Sequence, residues 1–203
     1  MAAQTLPAAS PETITFEEFL SAYDGVHAEW VDGRAHLVSP GNTPQSRLTR
    51  FLASVIQTWA EEKNLGEAFV PPLTVRLPEG SAREPDVFFL RREHLDRLHG
   101  TYVDGPPDLV VEIISRDSRG LDRGQKFYEY EQGGVPEYWL IDPERRKVES
   151  YRLGHDATYE PAGLGEPAAL RADALPGMWI PTEWLWQEPL PRLNEVQRAW
   201  GLI

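Results

Sequence analysis

Cysteine is absent from the 203 residues of this chain, and long apolar runs are absent too. Without cysteine, both disulfides and thiolate metal sites are excluded. No apolar run approaches the roughly 18 residues that a membrane helix needs. The first residues, MAAQTLPAASPET, also lack the basic start and apolar core of a signal peptide. From these absences we expect a cytoplasmic protein.

Positive charge is scarce as well. The chain has 20 basic and 32 acidic residues, which gives a net charge of -12. Non-specific affinity for nucleic acid comes from basic surface, so this balance argues against a protein that coats nucleic acid. A metal-dependent nuclease is still compatible with it, because the site of such an enzyme is acidic. The five histidines form no i, i+4 pair and no zinc-like cluster, and we interpret them as scattered surface or core residues.

The remaining composition indicates one folded domain with two flanking segments. Hydrophobic residues make up 41% and charged residues 26%, which is ordinary for a globular protein. Residues 1–13 are Ala/Pro-rich, and we predict a disordered tail there. Residues 154–203 are rich in proline and tryptophan, and we predict that this extension packs on the same domain. Between them, strands mixed with helices predict an α/β or α+β fold with a mixed sheet.

Local signals place the elements of this fold. Thr15 and Glu18 form a capping box that predicts a helix to about Tyr23, and Asp32-Gly33 predicts a hairpin turn. A helical period predicts a long helix from about Pro44 to Lys63. Residues Ala68–Leu77 predict a strand that Pro71-Pro72 interrupts, so that it is bent or lies at a sheet edge. The other predictions are strands at Pro85–Leu90, Asp108–Ile114, Tyr138–Ile141 and Lys147–Leu153, helices at Arg91–His99 and Leu121–Gln132, and a loop at Thr101–Pro107.

The segment from Leu109 to Ile114 organises the chain, because it is apolar on both faces. Alternation puts Leu109, Val111 and Ile113 on one face. The other face carries one carboxylate, Glu112, among aliphatic residues. Such a strand belongs in the middle of a covered sheet. A carboxylate buried there must be protonated, paired with a base or bound to a metal.

Three acidic residues and one lysine are candidates for chemistry. Asp86 begins a predicted strand, Glu112 lies inside the central strand, and Glu29 lies in the predicted hairpin. Carboxylates that converge between strands offer hard oxygen ligands for magnesium or manganese. Lys126 lies on the helix after the central strand and could orient a water or hold a phosphate oxygen. Tyr130 follows one turn later, and we interpret it as a core residue.

Each candidate also has a structural interpretation. Asp86 could cap a turn, and Glu29 could lie at an exposed strand edge. Lys126 lies four residues after Asp122, in the order that favours a surface ion pair. Glu112 could form an ion pair that is only structural.

A set of linked motifs carries a family resemblance. The motifs are Ala28–Gly33, Ser39-Pro40, Pro85-Asp86, Asp108–Ser115, Asp122–Tyr130 and Gly134–Pro143. Together they resemble the Uma-two family, a group of bacterial proteins described as endonucleases within the PD-(D/E)XK superfamily. The resemblance covers roughly residues 14–153, which we take as the nuclease-like domain.

The resemblance implies a restriction-endonuclease-like core, in which helices flank a central mixed β-sheet. It also implies a Mg²⁺ or Mn²⁺ site with Asp86 and Glu112 as main ligands and Glu29 as a third acid. In the superfamily, the lysine usually lies two residues after the strand acid, where this chain has Ile114. Similar families place it on the next helix, so the resemblance makes Lys126 the candidate.

The resulting hypothesis is a divalent-metal-dependent endonuclease that hydrolyses phosphodiester bonds in DNA. The resemblance also implies a histidine, often found in relatives, where this chain has Pro44–Arg47, and Gln45 is the candidate to replace it. The missing histidine and the acidic net charge favour an alternative, a decayed nuclease fold that acts as a binding module. A third hypothesis is a homodimer that acts on another phosphate ester, with the Trp-rich tail covering either a dimer seam or the domain's own core.

Overall fold

The structure, a computed structural model, describes residues 12–38, 41–78, 80–115 and 119–203. Most of the predicted tail and the Ser39-Pro40 motif lie outside the described residues. The helices are α1 (Phe16–Ala22), α2 (Thr43–Lys63), α3 (Arg119–Arg123), α4 (Gln125–Gln132) and α5 (Leu193–Ala199), with 3₁₀ helices at Arg92–Arg97 and Thr182–Trp186. The first strands are β1 (Ala28–Val31), β2 (Arg34–Leu37), β3 (Gly66–Phe69), β4 (Thr74–Arg76), β5 (Ser81–Arg83), β6 (Val87–Arg91) and β7 (Leu98–His99). The later strands are β8 (Tyr102–Asp104), β9 (Leu109–Ile113), β10 (Glu137–Asp142), β11 (Lys147–Leu153), β12 (Tyr159–Pro161), β13 (Ala169–Leu170) and β14 (Ile180–Pro181).

These strands form two six-stranded sheets and a two-stranded one. The central sheet has the order β12-β11-β10-β9-β6-β3, and the second sheet has the order β2-β1-β5-β4-β8-β7. In the central sheet, β9 runs parallel to β10 and antiparallel to β6. The second sheet is mixed in the same way, since β4 pairs parallel with β8 and antiparallel with β5. The predicted mixed α/β fold is therefore confirmed.

Strand β9 occupies the middle of the central sheet, as its apolar pattern predicted. All five of its residues are buried. Leu109, Val111 and Ile113 pack in a cluster with α2, whereas Val110 packs in a second cluster with Tyr130 of α4. This second cluster also contains residues of the second sheet, so that sheet and α4 cover the face that carries Glu112.

The segment after residue 153 packs on the same core as α2. Its buried members include Leu170, Leu175, Met178, Ile180, Leu185 and Val196. Trp200 contacts Trp59 of α2 edge to face, with ring centroids 5.0 Å apart. The backbone N–H of Ala174 also donates to Glu137 of β10 at 2.9 Å. These contacts favour the interpretation that the Trp-rich tail covers the domain's own core.

Several local predictions are confirmed. Helix α1 has the predicted capping box, in which Thr15 and Glu18 bond each other's backbone N–H groups. The hairpin turns at Asp32-Gly33, and the long helix runs from Thr43 to a left-handed cap at Asn64. No described helix is both long enough and apolar enough to cross a membrane.

Three local predictions are wrong. The segment Ala68–Leu77 contains two strands, β3 and β4, which belong to different sheets. The interruption that Pro71 and Pro72 predicted does lie between them, because these residues have no N–H donors to continue a ladder. The predicted loop Thr101–Pro107 contains β8, and the predicted helix from Leu121 is divided at Gly124 into α3 and α4. Gly124 has ψ -94°, outside the helical region, so the backbone changes direction there.

Candidate active site

The four predicted site residues line one cleft. Its volume is about 1910 Å³, and its lining includes Glu29, Asp86, Glu112 and Lys126. Helix α2, the β1–β2 hairpin, the start of α4 and the segment before α5 form its walls. Residues that are far apart in the sequence are thus brought to one place by the pairing of β9 with β6 and the packing of α4.

Glu112 is paired directly with Lys126. The Lys126 Nζ donates to Glu112 Oε1 at 2.9 Å, and the Tyr130 hydroxyl donates to the same oxygen at 2.8 Å. Lys126 and Tyr130 are four residues apart, so they lie on the same face of α4. Both are buried, and the interpretation of Lys126 as a surface residue is wrong. The side chain of Asp122, its partner in that interpretation, lies outside the described residues.

Glu29 joins the same group of charges. One of its oxygens, Oε1, lies 3.2 Å from Lys126 Nζ. The other, Oε2, accepts a hydrogen bond of 2.6 Å from Arg83 Nη1. Glu29 is only 4% exposed, so the interpretation as an exposed strand edge is wrong.

Arg83 completes this group of charges, and no sequence pattern predicted it. It is 2% exposed, and its Nε and Nη2 donate to the two oxygens of Glu129 at 2.6 and 2.8 Å. Its guanidinium therefore links β5 to Glu29 on β1 and to Glu129 on α4. A single arginine in a three-residue strand gives no periodic signal, and its two partners are distant in sequence.

Burial and these contacts set the protonation of the group. Burial opposes ionisation of Glu29, but the charges of Lys126 and Arg83 outweigh it and lower the pKa of this carboxyl. Burial raises the pKa of Tyr130, and the nearby charge of Glu112 raises it further. At neutral pH, Glu29 is therefore a carboxylate and Tyr130 keeps the proton that it donates to Glu112.

Asp86 lies just before β6, and neighbours on β9 and α2 bond it. The backbone N–H of Ile113 on β9 donates to Asp86 Oδ2 at 2.7 Å. Gln45 Nε2 donates to Asp86 Oδ1 at 3.0 Å and to Oδ2 at 3.3 Å. Gln45 itself is placed by the start of α2, where its backbone N–H bonds the capping side chain of Asn42. Asp86 thus joins the start of α2 to the central strand next to Glu112.

The donor chemistry of Asp86 and Glu112 suits a small divalent cation. Magnesium is commonly bound by one or two carboxylates, with waters and substrate phosphates completing its coordination. Within the described part of the chain, no three acidic or histidine side chains are grouped closely enough to cage a metal. Glu29 instead contacts Arg83 and Lys126. The donor chemistry of Asp86 and Glu112 is thus compatible with such an ion, and the assignment of Asp86, Glu112 and Glu29 as its ligands stays a prediction.

A family model described as "Putative restriction endonuclease" matches residues 16–183. The chain belongs to this Uma2 family. The match extends past residue 153 into the C-terminal segment, which agrees with the packing of that segment on α2. For this Uma2 protein, membership indicates a nuclease-like function.

A solved structure supports the fold of this Uma2 chain. The structure is described as a "putative nuclease belonging to DUF820" from Anabaena variabilis. The two chains are 20% identical, with a TM-score of 0.72, and the match covers 85% of this chain and 97% of the other. Among curated proteins, none matches the chain. At this identity the likeness establishes the fold, which is that of a protein described as a nuclease.

Proposed function

We propose that this Uma2 protein is a Mg²⁺- or Mn²⁺-dependent endonuclease that hydrolyses phosphodiester bonds in DNA. The observation that carries the proposal is the contact of Lys126 Nζ with Glu112 at 2.9 Å, in the cleft that Asp86 also lines. A buried ammonium next to a carboxylate on the central strand, with a second carboxylate at the adjacent strand, provides the groups that phosphodiester hydrolysis requires. The family supports the class of reaction.

Each residue has a distinct proposed role. Asp86 and Glu112 would hold the ion, which would neutralise charge on the phosphoryl group and lower the pKa of a bound water. Lys126 would position the attacking water or hold a non-bridging phosphate oxygen. Glu29 would assist, as a ligand of the ion or through its contact with Lys126. Gln45 would orient Asp86 through its two hydrogen bonds.

The test is a cleavage assay on single-stranded, duplex and branched DNA with magnesium or manganese. Cleavage should disappear with EDTA and in Asp86→Asn and Glu112→Gln. Lys126→Met should lower the rate by about 100-fold or more, as expected for loss of a group that stabilises transition-state charge. Glu62→Gln is the matched control, because Glu62 is exposed on α2 and lies outside the cleft. Unchanged cleavage by Glu112→Gln would refute the assignment.

The contacts of Lys126 are equally compatible with a second candidate, a decayed nuclease fold that acts as a binding or interaction module. Lys126 is already within ion-pair distance of both Glu112 and Glu29, which is also what a purely structural lysine would do. Under this hypothesis, no substrate is cleaved although the folded protein is supplied with metal. Turnover therefore separates the two candidates, whereas metal binding alone does not.

A further inference from the structure

Exposed arginines surround the cleft, although the chain as a whole is strongly acidic. The residues are Arg34, Arg47, Arg50, Arg146 and Arg192. They come from separate parts of the fold: β2, α2, the β10–β11 turn and the residue before α5. Within the described part of the chain, none of the five forms an ion pair with an acidic side chain. Their charges are therefore available to an anionic ligand.

The same cleft concentrates exposed apolar side chains. Of the six large hydrophobic residues that are exposed in the described part of the chain, Leu37, Val38 and Leu193 line it. These side chains are 47%, 38% and 39% exposed. Trp186 also lines the cleft and is half-buried. Apolar surface of this kind within a charged rim is typical of a binding site.

The cleft is large enough to hold part of a polymeric ligand. Sites for small molecules usually have volumes of roughly 300–1,000 Å³, and this cleft has about 1910 Å³. A ligand that satisfies both the arginines and the apolar side chains must carry repeated anionic groups and exposed apolar faces. A single-stranded nucleic acid does so, because its phosphates and its unstacked bases are both accessible. A duplex keeps its base faces stacked inside.

We propose that the cleft binds an unpaired nucleic-acid strand. The arginines contact its phosphates, and bases lie against Leu37, Val38 and Leu193. This inference deepens the proposed function and rests on it for the class of ligand. A strand bound in this way has one phosphodiester beside Asp86 and Glu112. Acidic residues outnumber basic ones in the chain as a whole, 32 to 20, which disfavours binding of the strand elsewhere on the surface.

The test measures binding by Asp86→Asn protein in EDTA, so that cleavage plays no part. The probe is a fluorescent oligonucleotide of about 16 nucleotides, single-stranded or annealed to its complement, and fluorescence anisotropy gives the affinity at several salt concentrations. The single strand should bind several-fold tighter than the duplex. Arg47→Ala and Arg50→Ala, added together to the Asp86→Asn protein, should weaken binding of the single strand. They should also reduce the slope of log affinity against log salt concentration by about 1.4. The matched control carries Arg92→Ala and Arg198→Ala, two exposed arginines outside the cleft, and should not change either quantity.

A second pair of substitutions tests the apolar contacts. Leu37→Ser with Leu193→Ser should weaken single-strand binding and leave the salt slope unchanged. Equal or tighter binding of the duplex would overturn the proposal, and so would an unchanged slope in the α2 arginine variant. Self-association in sedimentation without any binding of the probe would also overturn the proposal, in favour of a second copy of the chain as the occupant of the cleft. If the wild-type protein cleaves nothing while Asp86→Asn still binds the strand, the proposed function fails and this inference stands.

Discussion

At the scale of single residues, the site depends on a series of buried charges. Arg83 holds one oxygen of Glu29, and the other oxygen of Glu29 lies 3.2 Å from Lys126, which bonds Glu112. A buried charge without a partner is costly, so each member fixes the position of the next. Arg83 also bonds Glu129 on α4, the helix that carries Lys126. Arg83 thus helps to place Lys126 indirectly, through Glu29 and Glu129.

The lowered pKa of Glu29 makes this series sensitive to acid. A carboxyl whose pKa is lowered by folding stabilises the protein above its ordinary pKa of 4.5, and that stabilisation is lost as the pH falls through the lowered value. Glu29→Gln should lower the free energy of unfolding by about 3–5 kcal/mol at neutral pH, because Arg83 and Lys126 lose a buried partner. The difference between the two proteins should shrink below pH 4.5.

Urea unfolding of both proteins at several pH values would measure this difference. Glu62→Gln, at an exposed position on α2, should remain within about 0.5 kcal/mol of the wild type at every pH. A difference between Glu29→Gln and wild type that stays constant through the acidic range would show that the ionisation of Glu29 does not stabilise the fold.

The residues of the site were predictable to different degrees. Alternation in the central strand was enough to predict that Glu112 is buried. The role of Lys126 could be predicted only with the family resemblance, because its spacing from Asp122 fits a surface ion pair equally well. Arg83 and Glu129 were not predicted, since their pairing depends on how β5 meets α4. A sequence pattern indicates which side chain is buried, but it does not indicate which distant charge will face it.

At the scale of elements, the turn from α2 into β3 depends on one glycine. Gly66 has φ +154°, and it pairs with Arg91 at the start of the β3–β6 ladder. A Cβ atom there would lie 1.9 Å from the backbone oxygen of Leu90. Gly66→Ala would therefore force β3 away from β6, and we expect a loss of stability of about 3 kcal/mol or more.

Thermal unfolding followed by circular dichroism would measure this effect. Gly163→Ala is the matched control, because a Cβ atom at Gly163 meets nothing within 4 Å and its φ is not positive. Equal melting temperatures for Gly66→Ala and Gly163→Ala would contradict the geometry of the turn.

Element length explains which parts of the fold the sequence predicted. Helix α2 has 21 residues and β9 is apolar on both faces, so each gives a clear periodic signal. Strands β4, β5 and β8 have three residues each, which is too few for a period. Their pairing in the second sheet is a tertiary effect, and it explains why β5 and β8 were not predicted and why β4 was merged with β3.

At the scale of the whole molecule, the C-terminal segment completes the core. The apolar face of α2 packs on β9 on one side and contacts residues after 153 on another. Glu137 of β10 reinforces this packing by accepting the backbone N–H of Ala174. The cleft also depends on the C-terminal segment, because residues 185–193 form one of its walls.

Removal of residues 154–203 should therefore unfold the protein. Together with two alanines, six large side chains that are buried in the α2 cluster would be lost: Leu170, Leu175, Met178, Ile180, Leu185 and Val196. Burial of each contributes about 1.5–3 kcal/mol, and the total is comparable with the whole stability of a domain, about 5–15 kcal/mol. The control is a chain that lacks only Ile203, which is 67% exposed and should not affect stability. A cooperative thermal transition in the chain truncated after residue 153 would show that the nuclease-like domain folds without its extension.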